Sequence, residues 1–304
     1  MINTDPYRRV AEVLRREIED FLNSVGFLCR VFGRGKSTAS LHQKILSNPG
    51  KYTKNGRLIQ DAVGIRVVLY STEDIVIVEE ILRQKYKYDR KSSTIDVPNA
   101  QIFSVTRHNL IFQIPEQNLS DMNHATGENP VDFTFELQIR TILSEGWHEV
   151  EHDLRYKRLD DWKQHDDLSR SLNGVVATLE TAEWSMRKIF EDLAHRHYKN
   201  RNWEAMLHTS LRMRISSTLS SNICSILNAD AKVAKLMFRL DRATVLRSLS
   251  KLAPKIPINL DNMIYLWNYI CSGSSSISEI TPAVLLINFE ANLIPITDNT
   301  QNFN

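Results

Sequence analysis

Apolar residues recur at three- and four-residue spacing between Tyr7 and Phe27. Val10, Val13, Leu14, Ile18 and Phe21-Leu22 form one stripe, which predicts an amphipathic helix. A short strand is expected over Leu28–Phe32, leading into a glycine-flanked loop, Gly33-Arg34-Gly35-Lys36-Ser37. Ser37 or Thr38 is placed to cap a helix carrying Leu41, Ile45 and Leu46. After a polar loop with Pro49-Gly50, the run Ala62–Tyr70 is nearly continuously apolar and rich in β-branched residues, the pattern of a central strand buried on both faces. Thr72-Glu73-Asp74 opens a helix predicted over Ile75–Gln84, and strands are expected around Phe103–Val105 and over Asn109–Ile114.

Beyond a polar loop, Glu116–Pro130, the period changes to two. Phe133, Phe135, Leu137 and Ile139 point one way, and Asp132, Thr134, Glu136, Gln138 and Arg140 the other. A carboxylate, an amide and a guanidinium therefore share one strand face. Glu145, Glu149 and His152 follow at helical spacing, with Arg155 a turn beyond. Helix-biased sequence dominates from Ile142 to about His197. Met206–Leu227 and Asp230–Leu252 also read as helical, Pro254 and Pro257 interrupt, and Asp261–Ile270 resumes the pattern. The reading is an α+β domain over residues 1–198, with a mixed sheet flanked by helices, and a mostly helical region over 199–304.

Composition narrows the class. The chain has 304 residues and a net charge of only +2, so charge alone draws it to neither nucleic acid nor membrane. Cys29, Cys224 and Cys271 make no CxxC pair and no zinc pattern, and their odd number argues against a disulfide framework. Met1–Arg9 is polar, without the apolar core of a signal peptide, and no apolar run is long enough to span a bilayer. A reducing cytoplasm is the expected setting.

Three clusters carry the chemistry. Arg34, Lys36, Ser40 and Lys44 gather cations at a helix start, as a polyphosphate site requires, although the GxxxxGK[ST] loop is absent. Asp61 stands at the mouth of the central strand, where a carboxylate can hold Mg²⁺ on nucleotide phosphates. Arg66, five residues on, has a planar guanidinium suited to stacking on a base. Glu136 is a second candidate Mg²⁺ ligand, or a group that assists proton removal from an attacking hydroxyl. Solvated basic helix ends and cross-strand ion pairs are the plain alternatives to these readings.

In this order the clusters resemble the synthetase domain of the RelA/SpoT family of alarmone synthetases. The resemblance rests on Arg34-x-Lys36-Ser37-x-x-Ser40-Leu41-x-x-Lys44, Asp61-x-x-Gly64-Ile65-Arg66, Glu136-Leu137-Gln138-Ile139-Arg140-Thr141, and Trp147 with Glu151-His152 and Tyr156-Lys157. It spans roughly residues 10–190. It implies a nucleotidyltransferase-like fold, with transfer of the β,γ-diphosphate of ATP to the 3′-hydroxyl of GDP or GTP and release of AMP. The implied roles are adenine clamping by Arg34 and Arg66, ATP phosphate binding by Lys36, Ser40 and Lys44, and Mg²⁺ binding by Asp61 and Glu136, the catalytic pair. The acceptor side would use Phe103, His108, Gln138, Arg140 and His152.

One motif departs from the family's Gly-Tyr-x-Ser-x-His pattern. Counted back from His108, Thr106 replaces the serine and Ser104 the tyrosine. Counted forward from Pro98, Phe103 falls at the tyrosine position with one residue extra. The acceptor is therefore open. Toxic family members that modify the 3′ end of tRNA are one alternative. A non-catalytic nucleotide- or partner-binding regulator, using residues 199–304 as an interaction or homo-oligomerisation module, is another.

Overall fold

The computed structural model describes residues 5–96, 107–120 and 130–293. The strand expected at Phe103–Val105, and with it the acceptor residue Phe103, lies outside them. The chain divides into two compact units. One comprises Met1–Asp20 with Cys29–Trp184, the other Phe21–Leu28 with Ser185–Asn304.

The first unit is built on a five-stranded mixed sheet. Its strands are β1 (Cys29–Gly35), β2 (Val63–Leu69), β3 (Tyr88–Ile95), β4 (His108–Gln113) and β5 (Thr134–Thr141), in the order β1-β2-β5-β4-β3. Only β2 and β5 are parallel; the other neighbours are antiparallel. Val63, Ile65, Val67, Leu69, Leu110, Phe112, Phe135, Leu137 and Ile139 are at most 1% exposed and form the apolar core. Helix α1 (Asp5–Val25) contributes Tyr7, Val10, Leu14 and Ile18 to the unit's core, and α3 (Asp74–Lys85) contributes Ile77, Val78, Ile81 and Leu82.

Several local expectations change. Gly33-Arg34-Gly35 is not a loop: β1 runs through it, paired with Val63–Ile65. The glycines serve close packing instead. A Cβ on Gly35 would lie 2.4 Å from the Arg8 backbone nitrogen, and one on Gly33 2.8 Å from the Ala11 carbonyl oxygen. The central strand is sealed on one face only, because Gly64 and Arg66 are half-open. Strand β3 is absent from the sequence reading because Tyr-Asp-Arg-Lys-Ser-Ser-Thr-Ile has no buried position to set a period; it is a half-exposed edge strand. Phe133 precedes β5 and is 38% exposed rather than inward.

After β5 the chain enters α4 (Ile142–Leu154), a 3₁₀ stretch over Tyr156–Trp162, and α5 (Asp166–Lys199), which carries the chain from one unit into the other. The second unit's further elements are helical: α6 (Trp203–Leu211), α7 (Ser221–Ala229), α8 (Ala231–Phe238), α9 (Arg242–Leu252), α10 (Leu260–Trp267), α11 (Ser275–Ile280) and α12 (Ala283–Asn292). The two long helices expected here are each two short ones. Asn202, Asp230, Asp241 and Asn259 cap α6, α8, α9 and α10 with side-chain oxygens, and the Asp241 cap starts α9 inside what reads as one helix over Asp230–Leu252. Buried Arg242 donates to the carbonyls of Leu211 and Arg212 at the end of α6.

Candidate active site

The pairing register lays the polar face of the sheet out in rows. Arg34, Gly64, Glu136 and Ile111 stand side by side on β1, β2, β5 and β4. The next row is Phe32, Arg66, Gln138 and Asn109, and a third holds Arg30, Val68 and Arg140. Arg34, Arg66 and the Glu136-Gln138-Arg140 set, one part of each of the three sequence clusters, thus arrive on one surface through strand alternation alone. Gly64 leaves room there: a Cβ would meet the Arg34 side chain at 3.5 Å.

Helix α4 supplies the wall, with Thr141 capping it by accepting from the Ser144 N–H. Glu145 and Glu149, one turn apart, both contact the Arg66 guanidinium, and Arg140 donates to Glu145 at 2.9 Å. Arg66 also donates to Gln138 Oε1 at 3.2 Å. Burial works against the charge on Arg66, but the two carboxylates outweigh it and raise its pKa above the ordinary guanidinium value. Arg140 shifts the other way: burial and the neighbouring Arg66 cation lower its pKa, with Glu145 opposing.

Two adjoining cavities open on this face. One, of about 330 Å³, is lined by Phe32, Arg34, Arg66, Glu136, Gln138 and Glu145 among others. The other, of about 340 Å³, shares Arg34, Arg66 and Gln138 and adds Arg140, His148 and His152. His152 is stacked on Tyr156 with ring centroids 5.7 Å apart and contacts Asp153. His148 has a buried Nε2 without a hydrogen-bond partner. Burial, then the Arg140 and Arg66 cations, pushes its imidazole pKa down to about 4.

Asp61 lies just before β2, at the strand's start, and lines neither cavity. The Ile59–Val131 bridge and the Lys36 N–H donating to the Ala62 carbonyl hold its backbone. Ser37 caps α2 (Thr38–Leu46) as expected, accepting from the Ser40 N–H. Lys36, just before that helix, and Lys44, on it, converge on Asp61, with Nζ–Oδ distances of 2.7–2.8 Å. Burial pushes the Asp61 carboxyl up, but the two ammonium groups prevail and hold it below the usual carboxylate range. Ser40 accepts from the Ser37 hydroxyl at 2.9 Å and contacts no ion pair of this cluster.

Glu136 is held differently. Asn109 Nδ2 donates to one of its oxygens at 3.1 Å and Gln138 Nε2 to the other at 3.0 Å. His108 does not join it: that imidazole contacts Glu79 and lines a separate cavity of about 310 Å³ with Thr72, Trp147, Glu180 and Glu183. Arg140 borders both regions. The sequence reading passed over Asn109 and His148 and left Glu145 and Glu149 without a role; an acid pair at i and i+4 directly after the Gln-Ile-Arg strand is the signal that pointed to them.

An α+β unit with a basic, carboxylate-bearing sheet face is the class that fold and site define. Within it, residues 33–161 match the family model described as a region found in RelA / SpoT proteins, and this chain carries that region. The GTP pyrophosphokinase YjbM of Bacillus subtilis (strain 168) is 26% identical over 161 residues, covering 50% of this chain and 71% of that protein. Among solved structures, small alarmone synthetase 1 from Bacillus subtilis is similar at 22% identity and TM-score 0.45, covering 60% of this chain and 92% of that one. A GTP pyrophosphokinase family protein from Streptococcus pneumoniae is similar at 19% identity and TM-score 0.45, covering 62% and 91%. No helix among the described residues is long and apolar enough to cross a membrane.

Proposed function

We propose that this chain is a GTP diphosphokinase-type enzyme that transfers the β,γ-diphosphate of ATP to the 3′-hydroxyl of GDP or GTP, making (p)ppGpp-type products and releasing AMP. The observation that carries this reading is the convergence of Arg34, Arg66, Glu136 and Gln138 on one sheet face inside the RelA/SpoT region. The acceptor oxygen bonds to the β-phosphorus of ATP, the bond from that phosphorus to the oxygen bridging α and β breaks, and AMP departs. Glu136 lies beside the acceptor hydroxyl in this reading and takes its proton.

Arg34 and Arg66 enclose the adenine. The bonds from Arg66 to Glu145, Glu149 and Gln138 use its N–H edge and leave the guanidinium faces for stacking. Lys36 and Lys44 bind the ATP phosphates, exchanging part of their contact with Asp61 for phosphate oxygens. Asp61 and Glu136 are hard oxygen donors that fit Mg²⁺, and a cation that keeps waters and substrate phosphates as ligands needs few protein groups. The described residues contain no cluster of three His, Cys, Asp or Glu side chains able to hold a metal ion. Bound there, Mg²⁺ would supply charge neutralisation on the phosphates. Gln138, Arg140 and His152 face the acceptor side.

The test is incubation with γ-labelled ATP, Mg²⁺ and GDP, GTP or deacylated tRNA in turn, with Glu136→Gln as control. Label on GDP or GTP, lost in the variant, is the expected result. Label on tRNA alone moves the acceptor to RNA. No transfer to any acceptor overturns the reading.

A further inference from the structure

Asp61 and Glu136 are both carboxylates at the candidate site, yet their partners differ in kind. Asp61 is held by two ammonium groups. Glu136 has no ion pair among the described residues and is held by two neutral amides, one on each oxygen. One of them, Gln138, belongs to the Glu136 strand. The other, Asn109, comes from β4, and its geometry is specific. Its direct cross-strand neighbour is Gln138, and Glu136 pairs with Ile111. The Asn109 amide therefore reaches diagonally across the sheet to Glu136. Along β4, Leu110 and Phe112 are buried in the core, while Asn109 is half-buried on the site face.

Two amide donors fix the plane of a carboxylate without cancelling its charge. A lysine or arginine in the same place would neutralise it, as happens at Asp61. The remaining lone pairs of Glu136 stay available to a cation or to the proton of a hydroxyl. We propose that Asn109 is a positioning residue that orients Glu136 through this amide. The inference rests on the functional reading above: its activity test needs the transfer reaction, while its binding test needs only the nucleotide-and-metal part of that reading.

Asn109→Leu keeps the side chain's approximate shape and removes the donor. Asn109→Asp keeps the shape and sets an acceptor against an acceptor. Thermal unfolding first establishes that each variant folds; if one does not, the other carries the test. In the transfer assay, kcat falls about 10-fold or more in both, with KM for ATP within about twofold of wild type, the pattern of an interaction that matters at the transition state. The second readout is calorimetric titration of Mn²⁺ into protein saturated with a non-hydrolysable ATP analogue. Mn²⁺ affinity weakens about fivefold or more in the variants, while metal-free analogue binding is unchanged. Unchanged kcat and unchanged Mn²⁺ affinity in folded variants overturn the proposal. A wild type that transfers diphosphate to no acceptor overturns the functional reading, and the Mn²⁺ titration then decides the role of Asn109 alone.

Discussion

The two faces of the five-stranded sheet are made by the same strands and obey opposite rules. On one face Leu137, Ile139, Phe135, Val63 and Ile65 are essentially inaccessible. On the other, Glu136, Gln138, Arg140 and Arg66 are half-open, and each is engaged by a polar partner. Because neighbours along β5 alternate between these faces, adjacent residues test separate properties. Leu137→Ala is expected to lower stability by about 2–5 kcal/mol, from lost burial plus a cavity. Glu136→Gln is expected to leave stability within about 1 kcal/mol of wild type, while reducing transfer on the order of 10³-fold. Urea unfolding and transfer kinetics on both variants check this. A Glu136→Gln protein that loses stability as Leu137→Ala does would mean that the polar face is structural.

Glycines sharpen the same contrast at smaller scale. Gly35 presses on the backbone of Arg8 and Tyr7, which cannot give way as a flexible side chain would, whereas the nearest atoms to a Cβ on Gly64 belong to Arg34 at ordinary contact distance. Gly35→Ala should therefore cost about 1–3 kcal/mol by overpacking α1 against β1. Gly64→Ala should be near-neutral for stability and act, if at all, on ligand affinity through Arg34. Equal loss of melting temperature in the two variants would break the distinction between the faces.

The apolar face was legible in the sequence because burial leaves a pattern: a period of two in β5, a helical stripe in α1 and a nearly continuous apolar run in β2. The polar face was legible where residue types are chemically costly to hold together, as in Glu136-x-Gln138-x-Arg140. What escaped reading had no period or no local signal. Strand β3 has eight residues without a buried one, and its place is set by pairing with β4. The diagonal bond from Asn109 joins positions 27 apart in sequence, a relation that only sheet register creates. The glycines of β1 read as a loop because glycine signals both turn and close approach, and the helix packed against them was not part of the local pattern. In the second unit, the capping oxygens of Asp241 divide α8 from α9, which apolar spacing alone runs together.

The smallest expected effect concerns His148, the group on the polar face with the least satisfied ring nitrogen. Its folded pKa of about 4 lies below the ordinary 6.5, with burial the main cause and the Arg140 and Arg66 cations adding to it. The sign follows from which state holds the proton. Between pH 6.5 and 4 the unfolded chain binds a proton that the folded chain refuses, so stability falls as pH falls through that window. Partial exposure tempers the size to about 1 kcal/mol between pH 7 and 5. His148→Gln should remove that slope, leaving the other histidines' contributions in place, and urea titrations of both proteins at the two pH values measure the difference. A wild-type slope that survives the substitution would mean that His148 titrates normally, and that the arginine pair is better screened from the cavity than its burial and its contacts with Glu145 and Glu149 imply.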